Sequence, residues 1–196
     1  MKYDVILAGV GGQGVLSIAS VIAQAAMSEG LEVRQSEVHG MAQRGGAVLA
    51  HLRIADEKIA GDLVPKGGAD MIISMEPLES LRYVSYLKHD GLVVTAAEPF
   101  KNIPEYPEIE EIHSIIKRLP KWRIVRAASL AKEAGHTKTV NTVMVGAASG
   151  FLPIKSQSLE TTIAGAFSKK DTSIILANIK AFNLGQDAVK EAKQGK

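Results

Sequence analysis

The chain has 196 residues, 46% of them hydrophobic and 22% charged, which is the size and make-up of a globular α/β unit able to bury a real core. Its 23 Lys and Arg stand against 21 Asp and Glu scattered along the chain, so the sequence offers no electrostatic footprint for nucleic acid or for an anionic membrane surface. It has no cysteine, which excludes disulfides, thiolate nucleophiles, cysteine-held zinc and any iron–sulfur cluster that the chain could hold alone.

In chain order, Val5-Ile6-Leu7-Ala8 reads as a buried parallel strand running into a glycine cluster. This first apolar run breaks at Gly9, too early for a signal-peptide core or a membrane span, so a cytoplasmic location is the default expectation. Val15, Ile18, Ala19, Ile22 and Ala26 then fall at helical spacing, with Gly30 as the stop. Leu31 to Val38 reads as a second strand, His39 to Gly46 as a loop or short helical turn, and Ala47 to Ile54 as another β-like run. Met71 to Met75 is a further buried strand, and the helix after it starts at Pro77 and turns Leu78, Leu81, Val84 and Leu87 inward. Asp90-Gly91 reads as a turn into a strand over Leu92 to Thr95, and Pro99, Pro104 and Pro107 mark an irregular excursion before the strand Trp122 to Val125. Four helices follow: Ser129 to Ala134 ended by Gly135, Val140 to Ala148 ended by Gly150, Leu159 to Phe167, and Ile174 to Leu184 ended by Gly185. Lys190 to Lys196 reads as a frayed, charged tail. Strands alternating with helices specify a Rossmann-like, doubly wound, mostly parallel sheet flanked by helices. With no repeat, low-complexity tract or linker, the expectation is a single domain over residues 1–196.

Gly9-Val10-Gly11-Gly12-Gln13-Gly14 satisfies G-x-G-x-x-G between a strand and a helix. Two readings stand side by side. A phosphate could sit on the free amides at the helix start, making Gly9, Gly11, Gly12, Gln13 and Gly14 candidate cofactor-binding residues. Alternatively, the glycines only let strand and helix pack closely. A dinucleotide site also needs an acid about twenty residues on for the ribose. The local acids are Glu32 and Glu37, and Glu37 is followed by loop rather than by the expected second helix. The stretch His39, Gln43, Arg44, Gly45, Gly46 puts three polar side chains and a Gly-Gly pair between two strands, at the edge where such sheets bind ligands; solvated or capping groups are the bland reading. Asn141, at a helix start, can donate and accept and is a further candidate. His51, alternating with apolar neighbours, reads as a satisfied structural residue, and Glu76-Pro77 and Glu98-Pro99 as caps and turns. There is no Ser/His/Asp nucleophile pattern, no H-x-x-x-H metal pair and no acidic glycine–asparagine signature of thiamin-diphosphate enzymes. No catalytic residue and no metal ligand is therefore assigned.

The glycine run to Val15, then Ser36-Glu37-Val38-His39-Gly40-Met41-Ala42-Gln43-Arg44-Gly45-Gly46, then Gly68-Ala69-Asp70, and Asn141 ahead of Val145-Gly146 closely resemble the gamma-type domain of 2-oxoacid:ferredoxin oxidoreductases. Order and spacing cover nearly the whole chain, and the Ser36 to Gly46 run resembles the indolepyruvate branch in particular. The resemblance implies a small enzyme subunit that holds no cofactor itself. It implies a larger alpha subunit carrying thiamin diphosphate, Mg and 4Fe-4S clusters, in a complex that oxidatively decarboxylates an aryl 2-oxoacid, passing electrons to ferredoxin and the acyl group to coenzyme A. It carries over the glycine loop, the His39 to Gly46 loop and Asn141 as candidates for packing on the partner and shaping the shared active site or coenzyme A path. Arg44, a planar charged fork in that loop, is expected to act at the subunit junction rather than in folding. The apolar surface such a subunit keeps for its partner leads to the further expectation of a homodimer when the chain is alone. Two other readings stay open: a stand-alone NAD(P)-binding reductase, and a nucleotide-binding regulatory module.

Overall fold

The computed structural model describes residues 1–38 and 45–191. Six strands, β1 (Lys2–Val10), β2 (Glu32–Val38), β3 (Ala47–Ala55), β4 (Ala69–Ser74), β5 (Leu87–Ala96) and β6 (Lys121–Val125), form one sheet in the order β2-β3-β1-β4-β5-β6. β1, β4, β5 and β6 pair in parallel, and β3 runs against both of its neighbours, β1 and β2. The expected mostly parallel, helix-flanked sheet is present with this one reversed strand. The reversal follows from the connection: no described helix lies between β2 and β3, and parallel neighbours need a long crossover. β3 thus inserts between β1 and β2.

Central strands alternate between two buried faces, which is why they read as continuous apolar runs. Val5, Leu7, Met71, Ile73, Leu92 and Val94 point to the first face. There they meet α1 (Val15–Ser28), α4 (Ala127–Glu133), α5 (Val140–Ser149), α6 (Ser156–Ala166) and α7 (Thr172–Glu191). Ile6, Ile72 and Val93 point to the second face, under Val64, Tyr83 and Tyr86. That side also carries α2 (Pro77–Arg82), whose C-cap is Tyr83, and α3 (Ile109–Ile116) packs against α2.

Several boundaries differ from the sequence reading. α2 stops at Arg82, a single 3-10 turn covers Val84–Tyr86, and Leu87 opens β5. Its buried residues are Pro77, Glu79 and Ser80, while Leu78 and Leu81 are only half-buried. The apolar spacing that extended the helix is overridden by strand pairing of Leu87 with Ala69. Asp90-Gly91 is not a turn: pairing jumps from Ala69↔Leu87 to Met71↔Leu92, and the extra β5 residues lie within this irregularity. α3 lies in a stretch read as having no element, although Ile112 and Ile116 are spaced and buried as one helical face. Gly185 does not end α7, which continues to Glu191 and takes in Lys190; the rest of the expected tail lies outside the described residues. A Cβ at Gly185 would lie 2.0 Å from the Val143 carbonyl oxygen, and one at Gly146 would lie 2.0 Å from that of Phe182. These two glycines let α5 and α7 cross backbone against backbone.

His51 is the structural residue it was read to be. It is buried, its Nδ1 accepts from the Val64 amide at 3.2 Å, and its ring meets Tyr86 edge-on at 5.5 Å. Burial, reinforced by the charge of Arg53, lowers its pKa and so favours the neutral ring.

Candidate functional site

β1 and β4 lie side by side, but the chain leaves β1 into α1 on the first face and β4 into α2 on the second. The crevice between the carboxyl ends of two such strands is where open α/β sheets bind ligands. Here it is a cleft of about 410 Å³ between Gly12, Met75, Glu98, Phe100, Lys138 and Asn141.

Its floor is the glycine loop. Gly12 and Gly14 have φ of 99° and 75°, the left-handed region that L side chains rarely adopt. Gly14 caps α1 without a side-chain bond, and the first turn holds no acidic residue, so the positive helix end is not neutralised from within. The packing role of the glycines is visible at Gly9, where a Cβ would lie 2.7 Å from Val15 Cγ2, and at Gly14, where one would lie 2.2 Å from Asn141 Nδ2. A Cβ at Gly12 would meet nothing within 4 Å. Gln13 staples the loop to both strands: its Oε1 accepts from the Val10 amide at 2.8 Å and its Nε2 donates to the Met75 carbonyl at 3.2 Å. Asn141 Nδ2 donates to the Gly14 carbonyl at 3.2 Å, joining the start of α5 to the start of α1.

One wall belongs to the segment between β5 and α3, residues 97–108. Glu98 brings a carboxylate whose Oε2 is buried with no hydrogen-bond partner among the described residues, and Lys138 faces the same cleft from beyond α4. Together these groups suit a ligand that presents an anion toward the α1 amides and Lys138 and a hydrogen-bond donor toward Glu98. The segment is anchored behind the wall. Tyr106 donates its hydroxyl to Glu76 Oε1, and the Phe100 amide donates to the same oxygen at 3.4 Å. Glu76 Oε2 accepts from the Glu79 amide at 2.8 Å, making Glu76 the cap of α2 that the sequence suggested. Burial, then the bond to Glu76, pushes the Tyr106 phenol well above its ordinary range. Burial also raises the Glu79 carboxyl, against the pull of its Arg82 partner.

Of the sequence candidates, Gly12, Gln13, Gly14 and Asn141 line the cleft, and Gly9 lies behind it. Gly11 exchanges backbone bonds with the far end of the neighbouring loop: its amide donates to Gly46 at 2.8 Å and its carbonyl accepts from Gly45 at 3.4 Å. His39, Gln43 and Arg44 fall outside the described residues. Glu32 and Glu37 lie on β2, which β3 separates from β1, so neither lines the cleft. Glu98, Lys138 and Phe100 are lining residues that the sequence reading missed. The available signal was a Glu-Pro pair directly beyond a strand's carboxyl end. Among the described residues, no group of three His, Asp or Glu side chains could hold a metal, and no helix is long and apolar enough to cross a membrane.

Residues 4–188 match the family described as pyruvate ferredoxin/flavodoxin oxidoreductase. The chain belongs to this family. It is 40% identical, over 97% of either chain, to indolepyruvate oxidoreductase subunit IorB of Pyrococcus horikoshii. Among solved structures it resembles the keto/oxoacid ferredoxin oxidoreductase gamma subunit of Geobacter sulfurreducens, with a TM-score of 0.71 at 21% identity, covering 96% of this chain and 99% of that one. It also resembles the 2-oxoglutarate:ferredoxin oxidoreductase of Magnetococcus marinus, solved with 2-oxoglutarate, coenzyme A and succinyl-CoA. There the TM-score is 0.77 at 21% identity, covering 97% of this chain and 31% of that one. At such identities the two structures establish the fold. Membership of the family makes the chain an oxidoreductase subunit, the small component of a multi-subunit 2-oxoacid:ferredoxin oxidoreductase.

Proposed function

We propose that this chain, as one domain over its full length, is the small subunit of an indolepyruvate:ferredoxin oxidoreductase that converts an aryl 2-oxoacid oxidatively to its acyl-CoA. The observation that carries the reading is the 40% identity to an indolepyruvate oxidoreductase subunit across 97% of both chains. The chemistry of the chain agrees. Without a cysteine it has no ligands for an iron–sulfur cluster. The clusters, thiamin diphosphate and Mg then belong to a larger partner subunit, and that partner passes electrons to ferredoxin.

In this reading the cleft contributes to the coenzyme A path. Coenzyme A supplies the thiol that takes up the acyl group and carries phosphates along its length. The open amides at the start of α1 and Lys138 would hold a phosphate, Glu98 Oε2 would accept from a hydroxyl or amine, and Asn141 keeps the two helix starts together. Leu16, Phe100 and Ile103 are large exposed apolar side chains near this edge of the sheet, and they would pack on the partner. Gly45 and the segment before it, with His39, Gln43 and Arg44, would lie at the same junction. The isolated chain would cover such a surface by pairing as a homodimer, and the working location is the cytoplasm.

Purification of the native protein tests this. It should elute with a larger chain that carries thiamin diphosphate and iron. Recovery of the chain alone, together with tight binding of a nicotinamide cofactor to it, would overturn the reading in favour of a free-standing reductase.

A further inference from the structure

The segment 97–108 walls the cleft but contains no strand or helix of its own, and three prolines, Pro99, Pro104 and Pro107, deny it regular pairing. Beyond the Ala97 amide, which donates to the Val125 carbonyl at 2.7 Å, the ties that position it involve side chains. Glu76 is buried to 1% exposure and sits directly after β4 and Met75, beside the carbonyl to which Gln13 is stapled. Its two carboxylate oxygens divide the work. Oε2 caps α2 through the Glu79 amide at 2.8 Å, and Oε1 takes the Tyr106 hydroxyl and, at 3.4 Å, the Phe100 amide. Capping requires only one of these oxygens. The other grips the segment at two points six residues apart, on either side of its exposed tip at Ile103.

The grip extends across the cleft edge. Within the held span, Asn102 Nδ2 donates to the Gly45 carbonyl at 2.9 Å, and the Gly45 amide in turn donates to the carbonyl of Gly11. His113 Nε2 at 3.0 Å from the Ala97 carbonyl fixes the start of the segment from α3. One buried carboxylate therefore links the wall of the cleft, its glycine floor and the cap of α2.

We propose that Glu76 is a positioning residue. Through Tyr106 and the Phe100 amide it latches the 97–108 segment against the sheet, so that Glu98 and Phe100 stand in the cleft before a ligand arrives. This rests on the coenzyme A reading of the cleft for its functional consequence, while the latch itself can be tested independently. Tyr106→Phe removes the strongest tie and leaves the α2 cap intact; Glu76→Gln weakens both.

Hydrogen exchange on the full chain in complex with its partner reads the latch. In Tyr106→Phe, the non-proline amides of residues 97–106 should exchange about tenfold faster, while those of β1, β4 and α1 keep their protection. Glu76→Gln should show the same local change with a lower unfolding temperature. In both complexes the KM for coenzyme A should rise more than kcat falls. Unchanged exchange in Tyr106→Phe would overturn the latch. Faster exchange throughout the chain would also overturn it, since Glu76 would then hold the fold and not the cleft. Failure of coenzyme A to contact the wild-type cleft would sink the reading of the cleft, with the exchange result still deciding the latch.

Discussion

On the first face of the sheet, α5 and α7 touch through Gly146 and Gly185, and the layer beneath is built from valine, leucine, isoleucine, methionine and alanine. On the second face, the loop between β3 and β4 is held by charge. Arg53 donates to Asp4 through Nε at 2.9 Å and Nη2 at 3.2 Å, and its Nη1 reaches the carbonyls of Gly61 and Leu63 at 2.8 and 3.0 Å. The first face gains stability by excluding water from small, close-fitting surfaces. The second buries a carboxylate and a guanidinium, which are stable there because each satisfies the other. One face therefore tolerates no added volume, and the other tolerates no missing partner.

The largest expected effect is on the second face. Arg53→Met leaves Asp4, among the described residues, with Lys2 alone as an ion-pair partner, 3.3 Å away, and strands two loop carbonyls, so unfolding stability should fall by about 3–5 kcal/mol in chemical denaturation. Asp4→Leu combined with Arg53→Met should recover much of that loss, because a paired removal strands no charge. A double variant as unstable as the single one would show that the ion pair is not what closes this face.

Gly146→Ala tests the first face. The new methyl carbon would meet the Phe182 carbonyl oxygen at 2.0 Å, so α7 must move, at a cost near the upper end of the usual overpacking range, about 3 kcal/mol. Thermal unfolding reads it directly, and an unchanged midpoint would mean that the two helices are not in backbone contact.

The smallest effect concerns pH. Burial holds the pKa of His51 below its unfolded value of about 6.5, so the unfolded chain binds more protons as the pH drops through that value. Stability contributed by the neutral ring is full above it and is lost as the pH falls toward the folded value. His51→Asn keeps an acceptor for the Val64 amide but cannot titrate. Its unfolding midpoint should therefore depend less on pH between about 7 and 5 than that of the wild type. An identical slope would place the titration elsewhere.

The same contrast explains what could be read in the sequence. The strands and α1 were legible because local periodicity and the first-face core ask for the same residues: Val15, Ile18 and Ile22 are apolar, helical in spacing and buried. The end of α2 was not, because Leu81, Val84 and Leu87 continue a helical pattern that the pairing of Leu87 with Ala69 defeats. Gly185 was misread because a stop and a close crossing call for the same residue. In the site, the glycine loop and Asn141 announced themselves by motif and position. Glu98 and Lys138 did not, since their shared cleft depends on three segments meeting at one sheet edge. The role of Glu76 beyond its cap was equally hidden, because its partner Tyr106 lies thirty residues away across proline-rich chain.

On the proposed reading, this chain contributes to 2-oxoacid oxidation only as part of a complex. The direct measurement is indolepyruvate-dependent reduction of ferredoxin, with thiamin diphosphate and coenzyme A supplied, for the pure chain, for the larger partner subunit, and for the two mixed. The chain alone should show no turnover, and full activity should appear only in the mixture, saturating as the chain is added to limiting partner. Turnover by the pure single chain, or a partner whose activity is indifferent to its addition, would contradict it.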